Sequence, residues 1–213
     1  MSRAVIVLNG AISDYNLIKS HINDDDFIVC ADGALYHLEQ LGIKPDVWIG
    51  DSDSCVVDDS RFESLLADCE IVRLNPIKDM TDGEEACEYV CSSGFSRALI
   101  IGFSGTRFDH TLCNIFMLKK FHDAGINASA ISENNIVFFA ESHNEVKYCE
   151  YRYVSIIPIS NCITGVTNKG FYYPLNNDSL LRYSSRGISN ELIENIGTID
   201  IESGDALIIL SKD

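Results

Sequence analysis

Along the first part of the chain, short unbroken apolar runs alternate with stretches of helical period. Ala4–Leu8, Phe27–Cys30, Val47–Ile49, Glu70–Leu74 and Ala98–Ile101 are rich in Val, Ile and Leu, the texture of strands buried on both faces of a parallel sheet. Between them, Asp14–His21, Gly33–Leu41, Asp58–Ala67, Thr81–Ser92 and Asp109–Ala124 are predicted helical, and Ala128–Ser132 adds a strand. On the last helix, Leu112, Ile115 and Phe116 are expected to pack toward the core. Such β-α alternation predicts a parallel sheet flanked by helices, Rossmann-like in outline.

After Glu133 the texture changes. Ile136–Ala140, Val146–Cys149, Val154–Ile159, Phe171–Leu175, Thr198–Glu202 and Ala206–Leu210 are short β-like runs separated by Gly, Asn or Pro, with no helical period between them. That pattern predicts an antiparallel β-sandwich. The fold class expected is therefore α/β, with an N-terminal α/β unit over 1–133 and a C-terminal sandwich over 134–213.

Composition narrows the partners. The 213 residues carry 32 acids against 16 Lys and Arg, a formal charge of -16. Such a chain repels nucleic acid and anionic membranes, and no concentrated basic patch offsets this. An anionic substrate then needs a divalent metal, whereas a cationic one is not repelled. The 8 cysteines are scattered without a C-x-x-C pair, which fits reduced, mostly buried thiols and a cytoplasmic protein. The apolar run Ala4–Leu8, ended by Asn9-Gly10, is too short for a signal-peptide core, and no segment approaches a membrane span. Asp24-Asp25-Asp26 reads as a solvated turn.

The polar residues gather where strands are predicted to end, the edge at which parallel sheets bind ligands. Asp51 and Asp53 follow Val47–Ile49 in Ile49-Gly50-Asp51-Ser52-Asp53-Ser54. At i and i+2 of extended backbone they point the same way and can share a Mg²⁺, which takes one or two carboxylates plus substrate phosphates; the plain alternative is a surface turn. Asp32-Gly33 follows Phe27–Cys30, where the glycine admits close backbone approach. Lys78-Asp79-Met80-Thr81-Asp82 precedes a helix that Thr81 and Glu84 can cap as a box, with Asp82 in its first turn. The last cluster runs from Gly102 through Gly105, Thr106, Arg107 and Asp109 to His110, with Asn114 one turn on. Its glycines suit close contact with phosphate, and Arg107 is able to fork onto phosphate oxygens unless it simply pairs with Asp109.

A-D-G at 31–33, K-P-D at 44–46, I-G-D-S-D-S at 49–54, K-D-M-T-D at 78–82 and R-F-D-H at 107–110 with Asn114 together resemble the blocks of the thiamine pyrophosphokinases. T-G-V-T-N-K-G-F-Y-Y-P-L at 164–175 and G-I-S-N-E at 187–191 are similar to that family's carboxy-terminal blocks, in the same order. The resemblance implies that thiamine's hydroxyethyl oxygen attacks the β-phosphorus of ATP, giving thiamine diphosphate and AMP, with Mg²⁺ required. It also implies a homodimer, with thiamine between one subunit's α/β domain and the other's sandwich. Carried over by position, Asp51, Asp53 and Asp82 match the metal carboxylates. Asp82, Arg107 and Asp109 match the catalytic group, with Asp109 orienting or accepting the hydroxyl proton. Asp32, Gly33, Lys78, Thr81, Gly105 and His110 match ATP and phosphate contacts, and Ser189 and Asn190 the thiamine contacts. Tyr172 and Tyr173 offer aromatic surface or half-buried packing. Where the family usually has further glycines, this chain has Ala34 and Thr106, each adding a side chain near the expected phosphate path.

Two other readings compete. A nucleotide-sugar transferase using D-x-D explains Asp51 and Asp53 but leaves Ser189 and Asn190 without a task. A catalytically inactive thiamine-binding sensor keeps the pocket without turnover.

Overall fold

Consecutive Val, Ile and Leu leave a strand no polar face, so it is stable only when covered on both sides. The computed structural model describes residues 3–51, 59–75, 77 and 79–213. In it the apolar runs form β1 (Ala4–Val7), β2 (Phe27–Ala31), β3 (Val47–Asp51), β4 (Glu70–Leu74), β5 (Arg97–Ile101) and β6 (Asn127–Ile131). All pair in parallel in the order β6-β5-β1-β2-β3-β4. Every residue of β1 is buried, whereas β4, at the edge, leaves most of its length in solvent. Helices α1 (Tyr15–Lys19), α2 (Leu35–Leu41), α3 (Asp82–Ser92) and α4 (Phe108–Asp123) connect the strands. The chain divides into two compact units, Met1–Glu133 and Asn134–Asp213.

From β1 the chain steps outward to β4, then returns to the other side of β1 to form β5 and β6. The loops after β1 and β5 therefore leave a topological switch point. They are fastened together there: Leu8 N–H donates to Ile101 O at 2.9 Å, Gly10 N–H to Gly102 O at 2.8 Å and Ala11 N–H to Ser104 O at 2.7 Å. The backbones approach so closely that side chains are excluded. A Cβ on Gly10 would lie 2.2 Å from Gly102 O, and one on Gly102, whose φ is +65°, would lie 2.1 Å from Leu8 O.

Several expectations need correction. The segment expected to be helical over Asp58–Ala67 begins at a position outside the described residues; from Asp59 it forms a short 3-10 turn at Ser60–Phe62. Phe62 is its only fully buried side chain, and one anchor supports a turn, not a helical face. On α4 the buried positions are Thr111, Leu118 and Phe121, while Leu112 and Phe116 are exposed and Ile115 only half-buried. The helix is thus rotated from the expected core face. Asp26 is no solvated turn residue: its side chain is 1% exposed and accepts from Arg3 Nε at 3.0 Å, Arg3 Nη2 at 2.5 Å and Asn23 N–H at 2.7 Å. Burial pushes its pKa up, but the Arg3 and Asn23 donors outweigh this and hold the carboxyl below its ordinary range.

The second unit is antiparallel in every strand pairing among its described residues. One sheet runs β12 (Asn190–Glu191), β9 (Tyr153–Pro158), β14 (Ala206–Ser211), β7 (Asn135–Phe139); the other runs β11 (Asp178–Leu181), β10 (Cys162–Lys169), β13 (Ile196–Asp200), β8 (His143–Lys147). Ile156, Ile163, Val166, Ile199 and Ile208 share one buried cluster, as a sandwich requires. Phe171–Leu175, expected as a strand, makes only an isolated bridge from Phe171 to Leu192, and the strands nearby are β10, β11 and β12. No helix among the described residues is long and apolar enough to cross a membrane.

Two outcomes test this framework. Arg3→Met strands a buried carboxylate and should lower unfolding stability by about 3 kcal/mol in urea titration. Because the folded pKa of Asp26 is depressed, its contribution is present above the unfolded value of about 3.9 and is lost as pH falls through the folded one. Asp26→Asn should therefore flatten the loss of stability below about pH 4; an unchanged acid limb would remove the pair from the account. Gly102→Ala should cost about 2 kcal/mol or more, and a wild-type Tm in that variant would contradict the loop contact.

Candidate functional site

The switch point opens into a cavity of about 330 Å³ within the first unit. Its lining comes from the end of β1 (Leu8, Asn9, Gly10), the end of β2 (Ala31, Asp32), the start of α3 (Thr81, Asp82, Gly83) and the loop from β5 into α4. Of the residues singled out in the sequence, Asp32, Thr81, Asp82, Gly105, Arg107 and His110 all line it, together with Asn114. Asp51 ends β3 at the same edge of the sheet but is not in that lining. Asp53 and Lys78 lie outside the described residues.

Asp32 opens a single 3-10 turn, Asp32–Ala34, with φ of +42°, a conformation that costs a residue with a Cβ. It is pinned from below: the indole N–H of fully buried Trp48 donates to Asp32 O at 2.9 Å. Gly50 makes room for that ring, since a Cβ there would lie 2.6 Å from Trp48. Gly33 lies against the end of the Asn9 side chain. A Cβ on it would meet the Asn9 amide nitrogen at 2.6 Å, so a protein side chain occupies the close approach. Ala34 is fully buried and outside the cavity lining, whereas Thr106 lines the cavity.

Thr81 caps α3 by accepting Glu84 N–H at 3.2 Å. The reciprocal half of the box is not formed, because Lys120 of α4 takes the Glu84 carboxylate at 3.2 Å. The capped helix carries Asp82 in its first turn, where the macrodipole favours negative charge.

The loop after β5 is folded back by its own helix. Thr111 Oγ1 accepts Gly105 N–H at 3.2 Å, and Asn114 Nδ2 donates to Phe103 O at 2.8 Å. The N–H groups of Gly10, Ala11 and Gly105 are therefore spent inside the protein. The same loop carries side chains that can be cationic. Arg107 is one, and it pairs with Asp109 through Nη2 at 2.6 Å with both groups exposed. The Arg107 hydrogen bond depresses the Asp109 pKa to about 2.

Sequence reasoning passed over Asn9, Gly10, Thr111 and His37. Asn9-Gly10 was visible only as the end of an apolar run, although that end lies on the same sheet edge as Asp32. His37 Nε2 donates to Gly10 O at 2.7 Å and its Nδ1 accepts the Tyr15 hydroxyl at 2.8 Å. Burial lowers its pKa, consistent with this neutral tautomer.

The second unit holds its own cavity, of about 530 Å³, lined by Asn168, Phe171, Tyr173, Leu175, Ser189 and Asn190 among others. Ser189 has φ of +56°, and its N–H donates to the buried Ser155 Oγ at 3.0 Å. The Asn190 amide is engaged with the backbone of Tyr173: Oδ1 accepts its N–H at 2.9 Å and Nδ2 donates to its O at 2.7 Å. The Tyr172 and Tyr173 rings meet edge to face at 4.9 Å, and both are mostly exposed.

Comparison with known proteins bears on both units. The family described as "Thiamin pyrophosphokinase, catalytic domain" matches residues 18–130, and "Thiamin pyrophosphokinase, vitamin B1 binding domain" matches residues 142–207. The chain is 34% identical over 179 residues to thiamine pyrophosphokinase of Bacillus subtilis, covering 83% of each. A crystal structure of the thiamine pyrophosphokinase from Bacillus subtilis superposes with a TM-score of 0.91 at 28% identity, over 100% of both chains. The thiamin pyrophosphokinase structure from Geobacillus thermodenitrificans gives 0.87 at 28% identity, over 100% of this chain and 98% of that one. The chain belongs to the thiamin pyrophosphokinase family.

Proposed function

We propose that this chain transfers pyrophosphate from ATP to thiamine as a Mg²⁺-dependent homodimer in the cytoplasm. The thiamine hydroxyl oxygen bonds to the β-phosphorus while the bond from that phosphorus to the oxygen bridging toward the α-phosphorus breaks. AMP leaves with the bridging oxygen, and the hydroxyl proton passes to base or solvent. The observation that carries the reading is the switch-point cavity, where Asp32 and Asp82 stand beside Arg107 and His110. Carboxylates and an arginine in one cavity suit a polyphosphate only if a cation joins the two negative sets.

The donor set fits Mg²⁺. Asp32 and Asp82 offer hard oxygens, and no group of three or more His, Cys, Asp or Glu is placed to hold a metal alone among the described residues. An ion held by so few carboxylates would complete its shell with substrate phosphates and water. Asp51, Asp53 and Asp82 are the residues we assign to it, and a Mg²⁺ held there would supply charge neutralisation for the polyphosphate. Arg107 exchanges its partner from Asp109 to a phosphate oxygen. While paired, Asp109 is a weakened base; loss of Arg107 to the substrate removes the largest cause of that weakening, although His110 continues to lower its pKa. Asp32, Gly33, Lys78, Thr81, Gly105 and His110 contribute the remaining ATP surroundings, the glycines by keeping their turns compact. Ser189 and Asn190 belong to the vitamin cavity of the second unit. Exposed Phe108, Leu112 and Phe116 on α4 support an assembly that covers them.

The test is AMP formation from ATP with thiamine and Mg²⁺ each present or withheld. AMP should appear only with both; ATP consumption yielding only ADP, or thiamine binding without turnover, overturns the reading. Asp82→Asn should reduce kcat on the order of 100-fold or more with an unchanged Tm, and full activity would remove Asp82 from the reacting centre.

A further inference from the structure

The wall Phe171–Leu175 lines the second unit's cavity, yet sheet pairing does not account for it. The polar backbone atoms of a segment packed into the protein must find partners somewhere. For this wall most of them are side-chain amides. Asn190 takes both the N–H and the carbonyl of Tyr173. Asn168, on β10 and only 6% exposed, donates Nδ2 to the same carbonyl at 3.1 Å and accepts Leu175 N–H on Oδ1 at 2.7 Å. Its own backbone N–H donates to Leu175 O at 3.1 Å. Pro174 between them has no N–H, so Asn168 ties down both sides of the proline and the wall is fixed at Tyr173 and Leu175.

We propose that Asn168 is a positioning residue for the vitamin subsite, acting with Asn190 to hold the Tyr173–Leu175 wall against the cavity. This rests on reading that cavity as the thiamine subsite. A strand would hold such a wall by its ladder. Here, among the described residues, the backbone is paired only at Tyr172 N–H, which donates to Glu191 O, and at Leu175 O, while Tyr173 and the Leu175 N–H rest on side-chain amides, so Asn168 bears on where both residues stand. Asn190, which the sequence placed against thiamine, then acts through Tyr173, its amide being already committed to the backbone.

The experiment compares steady-state constants of the full chain, wild type against Asn168→Ala, Asn190→Ala and the double variant. Asn168→Ala should raise KM for thiamine about tenfold or more while KM for ATP stays within about twofold. Because both asparagines act on one wall, the double variant should raise KM for thiamine no further than the worse single one. Ile163→Val, a buried change in the same unit outside the cavity lining, supplies the control: it should lower Tm and leave KM for thiamine alone. If Asn168→Ala does not fold, Asn168→Asp preserves size and the bond to Leu175 while placing an oxygen against Tyr173 O, and the same selective rise is expected. A lowered Tm with unchanged KM, equal damage to both substrates, or strictly multiplicative effects each overturn the proposal. Failure of the wild type itself to form AMP instead overturns the function on which the subsite rests.

Discussion

Two backbones meet at the switch point with no side chain between them, and the first unit's site depends on that approach. β1 and β5 are neighbours, and beyond their paired residues Gly10 and Ala11 continue to bond to Gly102 and Ser104. Only glycine tolerates the separation at Gly10 and the left-handed φ at Gly102. Closing the loops this way brings Asn9 over Gly33 and sets Arg107 and His110 at the rim of one cavity with Asp32 and Asp82. The same closure engages the N–H groups of Gly10 and Ala11 inside the protein. The lining segments are in turn held from behind by neighbouring elements.

Those supports follow one rule in both units: irregular wall segments are fixed by side-chain hydrogen bonds from neighbouring elements. Trp48 holds the strained Asp32 carbonyl, His37 the Gly10 carbonyl, and Thr111 and Asn114 the loop after β5. Asn168, Asn190 and Ser155 do the same around the second cavity. Buried polar groups left without partners cost free energy, so these contacts stabilise the fold and shape the cavities at once.

Much of the first unit was legible because burial on both faces leaves an unbroken apolar signature; β4 is the exception, an edge strand with no fully buried residue. The carboxylates were legible because predicted strand ends pointed to one edge of the sheet. Asp26 was not, since its partner Arg3 is distant in sequence and a run of acids normally faces water. The face of α4 was misjudged for a similar reason. Its apolar residues lie nearly all round, and burial favours Thr111, Leu118 and Phe121 because Thr111 must reach back to Gly105. Phe171–Leu175 has strand-like composition, but two asparagines outside it decide its backbone.

The acidic balance of the chain explains why its arginine is held as it is. With 16 cations against 32 acids, an exposed guanidinium finds a carboxylate nearby, and Arg107 finds Asp109 two residues away. That pair is exposed, so its attraction is screened and exchange for a multiply charged phosphate is inexpensive. A buried pair would resist the exchange, because separating it strands a desolvated charge. An exposed pair at the rim thus keeps Arg107 oriented without locking it in place.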